Sequence, residues 1–331
     1  MKLNKKISTL LICTIAASAM SFGTVQADEL THLDVVLDWY PNAIHTFLFE
    51  AIENGYFEEE GLEVSLISPA DSVDAINFVA SGRAQIGLTY PIDVVQAYAS
   101  GMPVTSIGAI AQEALECMCS LSSNSITDDM TSLKGKKVGI TGTQISKAVI
   151  NTIAANAGLA EDDFEIVTVG FDLVTALTTG SADLIIGPFI NDEVVTMKNA
   201  GYELNVYSEQ DYGVPELYGL IMAVNSEDFA ENSEVYEAFL RASKKGFEDM
   251  KADEDAALDF IMANMSTDDN PLDETQQRES YEILLPKMEP EGSTFLSMSK
   301  DIWQSVIDWM VQTQQIEEGF DASAVMAEIN A

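Results

Sequence analysis

Two stretches of the chain share one layout. AINFVASGRAQIGLTYP (residues 75–91) and VTALTTGSADLIIGPF (residues 174–189) each run from a helix through a glycine turn and a polar step. Each then enters an apolar strand and leaves it through a loop carrying an aromatic ring and a proline. Around the first copy, apolar runs at 33–37, 62–67 and 86–88 read as strands, with helical spacing at 43–54 and 73–81. Ile44, Phe47, Leu48 and Ile52 lie on one side of the first helix, and Asp71 or Ser72 can cap the second. Around the second copy, strands at 137–140, 164–169 and 184–186 alternate with helices near 145–157 and 173–178. Such alternation selects an α/β fold over all-α or all-β architectures.

The layout occurs twice and each copy fills a subdomain, so it is a duplication of architecture and not a solenoid repeat. The second unit is inserted in the first. A strand at 217–224 follows it, and the remainder is mainly helical, at 233–251, 255–265, 273–285 and 299–315. In the last helix Ile302, Val306, Trp309 and Met310 share a broad apolar face. A chain of 331 residues with 47% hydrophobic content has room for two domains. The expected division is a first lobe from 28–116 and 221–331 and a second from 117–220. The chain then crosses between lobes near 113–121 and 217–225, and two short crossings are what a hinge needs.

The first 27 residues stand apart. Lys2, Lys5 and Lys6 precede an apolar run over 7–20, and Val25-Gln26-Ala27 offers a small-residue cleavage site. This reads as a secretory signal peptide, too short for a membrane span, with the mature chain starting near Asp28. Cys13 is a poor lipid-attachment site, because Ile12 precedes it where a small residue is expected. Residues 1–27 hold three lysines and no acid, so their removal takes the net charge from −38 to −41. A surface so acidic repels nucleic acid and anionic lipid. Cys117 and Cys119 remain; if they lie on a strand, two residues apart on one face, their Cα atoms would stand about 6–7 Å apart, poor spacing for a disulfide. His32 and His45 are the only histidines and lie far from the cysteines in sequence, so neither a zinc site nor another metal is expected.

The apolar run at 33–37 ends abruptly in Asp38-Trp39-Tyr40-Pro41-Asn42, with His45 a turn later. In open α/β sheets ligands settle beyond the carboxyl ends of the strands. Loops at 38–45, 89–93, 141–146 and 187–193 meet that description. Trp39 and Tyr40 can stack on a flat ring while Asp38 and Asn42 take its polar edge. His45 and the Tyr90-Pro91 pair are candidates for contact or for structural roles. Gly142 and Thr143 precede a helix and leave amide N–H groups free for an acceptor atom. Tyr212 and Tyr218 flank the hinge strand and suit either ligand contact or packing.

LDWYPNAIHTFLFEAIENGYFEEEGLEV, LKGKKVGITGT, GPFINDEVV with NAGYEL, and YGVPELYGLIM together resemble the solute-binding proteins of the thiamine-precursor type. These sit in the broader family that contains the yeast pyrimidine-synthesis enzyme. The resemblance covers nearly all of residues 33–315. It implies a periplasmic-binding-protein-like fold of two doubly wound α/β lobes joined by a two-crossing hinge. It also implies a receptor that hands a formylated aminopyrimidine, or a related small heterocycle such as a flavin precursor, to the permease of an ABC importer. A monomer without cofactor is expected. Asn191 and Glu193 match the family's N-x-E, but Ile190 and Asp192 stand where the family carries aromatic rings, which leaves the heterocycle open. The family's enzyme relies on a cysteine-rich iron motif and a histidine–lysine cluster. Here EALECMCS at 113–120 holds two cysteines and no H-x-x-x-H occurs, so a receptor is expected and not an enzyme. A hydrolase has no G-x-S-x-G to rest on.

Overall fold

A computed structural model describes residues 30–69, 74–170, 172–268 and 270–329. The expected signal peptide and the expected capping residues Asp71 and Ser72 lie outside these. The first unit runs β1 (Thr31–Val36), α1 (Thr46–Glu53), α2 (Tyr56–Glu59), β2 (Leu62–Ile67), α3 (Asp74–Ala80), β3 (Ile86–Thr89), α4 (Pro91–Ala99) and β4 (Val104–Ala111). The second runs β5 (Glu116–Leu121), β6 (Lys137–Ile140), α5 (Gln144–Asn156), β7 (Glu165–Thr168), α6 (Leu173–Thr178), β8 (Leu184–Phe189), α7 (Glu193–Asn199) and β9 (Leu204–Tyr207). The chain then returns through β10 (Leu220–Asn225) to α8 (Ser226–Ala252), α9 (Glu254–Asn264), α10 (Glu274–Met288) and α11 (Lys300–Gln312).

The sheets are ordered β2-β1-β3-β10-β4 and β7-β6-β8-β5-β9. In each, two neighbouring pairs are parallel and the fourth strand runs antiparallel to both neighbours. That fourth strand is always the one arriving from the other unit: β10 in the first sheet, β5 in the second. The duplicated layout is therefore a duplicated topology of two α/β lobes. The crossings are residues 112–115 and 208–219, slightly earlier in the chain than the sequence suggests. Residues 116–121 are the interior strand β5 because Met118 and Cys119 are fully buried and alternate across the sheet. The crossings touch at Gly219, where a Cβ atom would stand 2.6 Å from the Glu113 carbonyl oxygen.

Hydrophobic side chains cover both faces of each sheet. Helix α11 buries Trp303, Val306, Ile307 and Met310, and Trp309 Nε1 donates to Thr152 Oγ1 of α5 at 3.1 Å. The C-terminal helix thus packs on elements of both units. Helix α8 begins earlier than its apolar periodicity suggests, because Asn225 Oδ1 caps Glu227 N at 2.9 Å; the helix then kinks at Asn232. Farther along, α8 crosses α1 at Gly246, where a Cβ would stand 2.1 Å from the Phe47 carbonyl oxygen and 2.9 Å from Ala51 Cβ. Gly246→Ala is expected to push the helices apart and cost about 1–3 kcal/mol, as overpacking of a tight core does. Denaturant titration checks this; an unchanged midpoint would mean that the helices separate freely.

Candidate functional site

A cavity of about 440 Å³ lies where the strand ends of the two sheets face each other. From the first unit Asp38, Trp39, Tyr40, Asn42 and Tyr90 line it; from the second, Glu116, Thr141, Leu173, Phe189, Asn191, Asp192 and Glu193. Helix α10 and the loop before it add Asn270, Leu272, Gln276, Gln277 and Ser280.

The loop after β1 is tied by its polar residues. Asp38, nearly buried, accepts from His45 Nε2 at 2.9 Å on one oxygen and from the Tyr90 hydroxyl at 3.1 Å on the other. His45 Nδ1 accepts from the Asn42 amide at 3.2 Å, which places the ring hydrogen on Nε2, aimed at Asp38. Asn42 Oδ1 caps the following turn by accepting from Ile44 N at 3.1 Å, and its Nδ2 donates to the Tyr40 carbonyl at 3.1 Å. From α10, Gln277 Oε1 accepts from Ala43 N at 2.9 Å. What remains free is aromatic surface. Trp39 and Tyr40 are 52% and 49% exposed, edge-on to each other with ring centroids 5.9 Å apart. The polar residues are the frame and the rings are what the frame presents.

The opposite wall is built from the end of β8 and the start of α7. Glu193 Oε2 accepts from the Phe189 amide at 2.8 Å. Asn191, 6% exposed, donates from Nδ2 to Ser280 Oγ at 3.1 Å, while its Oδ1 has no partner among the described residues. Gln276 Nε2 of α10 donates to Asp192 Oδ1 at 2.6 Å and Thr196 Oγ1 at 3.1 Å. Helix α10 therefore grips both the Pro41–Ala43 loop and the 191–196 segment, with Asn270 Nδ2 on the Pro41 carbonyl at 3.0 Å. Phe189 meets Tyr90 edge-on across the cavity at 6.1 Å.

The electrostatics are one-sided: among the described residues no lysine or arginine lines the cavity. Burial raises the Asp93, Asp192 and Glu193 carboxyls above the usual range. Glu116 opens to cleft water but is walled by protein at this depth. That loss of bulk solvent, followed by the charges of Asp93 and Glu193, pushes it up to about 7. Behind it Glu209 is buried and held well above its ordinary value by desolvation and then by Glu116.

Seven of the residues expected from the sequence line the cavity: Asp38, Trp39, Tyr40, Asn42, Tyr90, Asn191 and Glu193. His45 lies directly behind Asp38, fully buried. Pro91 is the buried first residue of α4, where a proline suits a helix start. Gly142 and Thr143 do not line the cavity, and Thr141 does. Their polar groups turn inward: Gly142 N donates to Ser146 Oγ and Thr143 Oγ1 caps Ser146 N. Tyr212 and Tyr218 are packing residues. Tyr212 donates to the Asp128 carbonyl at 3.1 Å, while the Tyr218 hydroxyl accepts from Ser299 N and its ring leans on Trp303. Cys117 and Cys119 are core side chains whose thiols burial pushes up, that of Cys119 to about 12. Among the described residues no group of His, Cys, Asp and Glu is placed to hold a metal ion.

Glu116, Leu173 and the α10 residues were not legible as site residues, while Phe189 lies in the candidate loop 187–193 without having been singled out. Phe189 supplies the second unit with a cavity ring although Ile190 and Asp192 flank Asn191. A lone carboxylate at the head of an apolar strand was the one signal for Glu116.

Two α/β lobes of matched topology, closing on a polar-aromatic cavity at their strand ends, define the periplasmic-binding-protein fold. The periplasmic aliphatic sulphonate-binding protein SsuA of Escherichia coli has that fold and superposes with a TM-score of 0.70 at 13% identity, covering 91% of this chain and 93% of that one. A family model described as NMT1/THI5 like matches residues 42–257, and the chain belongs to that family. The formylaminopyrimidine-binding protein of Halalkalibacterium halodurans is 35% identical over 314 residues, 95% of this chain and 95% of that protein. The 4-amino-5-hydroxymethyl-2-methylpyrimidine phosphate synthase of Aspergillus parasiticus is 29% identical over 245 residues, 71% of this chain and 70% of that enzyme.

Proposed function

We propose that the protein is the solute-capturing receptor of an ABC importer and that its cleft takes an aminopyrimidine of the thiamine-precursor type. One observation carries the reading: the cavity joins half-exposed aromatic faces to a wall of acceptors, with no cation among the described lining residues. A flat ring bearing N–H donors suits that wall. An alkanesulfonate would set its charge against the carboxyls of Asp38, Asp192 and Glu193, with no cation among the described lining residues to offset the repulsion. The receptor reading also follows the protein of 35% identity, which binds formylaminopyrimidine by its name. An enzymatic role has less support, because the two cysteines at the family's iron-motif stretch pack into the apolar core beside Leu173, Leu177 and Val194.

In this reading residues 1–27 direct export, and the monomeric protein works outside the cytoplasmic membrane and delivers its ligand to a permease. No helix among the described residues is long and apolar enough to cross a membrane. The lobe of residues 116–207 closes on the lobe built from the segments before 112 and after 219, with residues 112–115 and 208–219 as hinges. Calorimetric titration with 4-amino-5-hydroxymethyl-2-methylpyrimidine, formylaminopyrimidine and an alkanesulfonate tests the assignment. The pyrimidines should bind in the micromolar range or tighter, and saturation should reduce the radius of gyration. Sulfonate binding with no pyrimidine binding would overturn it.

A further inference from the structure

The cleft-lining carboxyls are not equivalent. Asp38 is held by His45 and Tyr90, Asp192 by Gln276, and Glu193 by the Phe189 amide. Glu116 alone among them has no hydrogen-bond or ion-pair partner among the described residues. It opens β5 directly after the first crossing, and the pairing of β5 with β8 shifts register between Glu116 and Met118. Such irregularities re-aim side chains beside functional sites. A second group points to the same missing partner: the buried Asn191 oxygen, also on the cavity wall, is an acceptor without a donor.

We propose that Glu116 is a specificity-determining residue which, with one proton held between its carboxyl and the ligand, pairs with the amino-nitrogen and ring-nitrogen edge of an aminopyrimidine. This rests on the aminopyrimidine reading of the cleft. A neutral carboxyl presents one acceptor and one donor side by side, and that edge presents the complementary donor and acceptor. A carboxylate facing a protonated ring nitrogen makes the same pair with the same proton count. Asn191 Oδ1 is left to accept a further N–H.

The surroundings favour keeping that proton. Asp93 and Tyr90 face Glu116 from the start of α4, Glu193 from α7 and Glu209 from the second crossing, with the Cys117 thiol beside it; none is a cation. The carboxyl is pushed up to about 7, so free protein loses the proton as pH rises through that value. At pH 7 about half of the free carboxyl still carries the proton, so affinity is within about twofold of its maximum there and falls at higher pH, by about tenfold per unit once neither partner carries the proton.

The test is titration of 4-amino-5-hydroxymethyl-2-methylpyrimidine into the full protein from pH 7 to pH 9, with calorimetry at pH 8 in two buffers of different ionisation enthalpy. Affinity should fall across the range, and binding at pH 8 should take up close to one proton. Glu116→Gln fixes a donor and an acceptor in the same places; it should bind within about fivefold of the parent at pH 7 and lose the pH slope. Proton uptake is read on the parent and does not depend on the variant folding. A flat parent profile, no proton uptake, or a slope that persists in Glu116→Gln overturns the inference while leaving the pyrimidine receptor standing. Absence of pyrimidine binding at every pH overturns both.

Discussion

Asp38→Ala is expected to be the most damaging single substitution in the cleft, lowering both fold stability and ligand affinity. Its carboxylate takes the hydrogen of a fully buried His45 ring on one oxygen and the Tyr90 hydroxyl on the other. Alanine removes both acceptors and fills neither space. The His45 Nε2–H cannot turn away, because Nδ1 is fixed on the Asn42 amide. Leaving a buried donor unpaired costs about 1–3 kcal/mol, so orphaning these two should lower stability by roughly 2–4 kcal/mol. Affinity should drop as well, because the same contacts set the angle at which the loop presents Trp39 and Tyr40. Asp38→Asn retains an acceptor for His45 and should lose less than half as much. Urea unfolding of the two variants measures this; equal and small losses would mean that water replaces the carboxylate.

That network also shows where sequence reasoning succeeds and where it stops. A strand running without a break into Asp-Trp-Tyr-Pro-Asn marks a candidate site, because large rings beside polar groups have no ordinary reason to end a buried strand, and the loop does line the cavity. It does not say which of those residues meets the ligand. His45 and Asn42 turn out to tie the loop, a division of labour set by two hydrogen bonds that no spacing rule reveals. The duplicated lobes were legible because apolar runs and glycine stops recur in the same order. Strand β5 was not, since residues 113–121 looked like a linker and only pairing with β8 and β9 makes them interior. With the strand went Glu116. Helix α10 was legible as a helix, yet nothing local to Gln276 indicates that it reaches Asp192, 84 residues away. Tyr212 and Tyr218 show the converse error: aromatic rings beside a hinge satisfy packing as readily as recognition, and here packing takes them.

Trp39→Ala or Tyr40→Ala should each weaken aminopyrimidine binding by about 1–3 kcal/mol, tenfold to more than a hundredfold, with little change in stability. Both rings are half exposed, so the fold gains little from them, and enclosure around a flat ligand would desolvate them and make their contacts count. The double variant should lose less than the sum of the two, because the rings touch each other and each sets the other's position. The chain supplies its own probe. Of its three tryptophans, Trp303 is 0% and Trp309 5% exposed, whereas Trp39 is 52% exposed on the cavity wall. A ligand stacking there should change the emission of Trp39 and leave the other two nearly silent. Trp39→Phe keeps an aromatic face, so it should bind within about tenfold of the parent while the ligand-induced emission change disappears. Should that change persist in Trp39→Phe, the signal would come from α11 and the ring at position 39 would not be the one that meets the ligand.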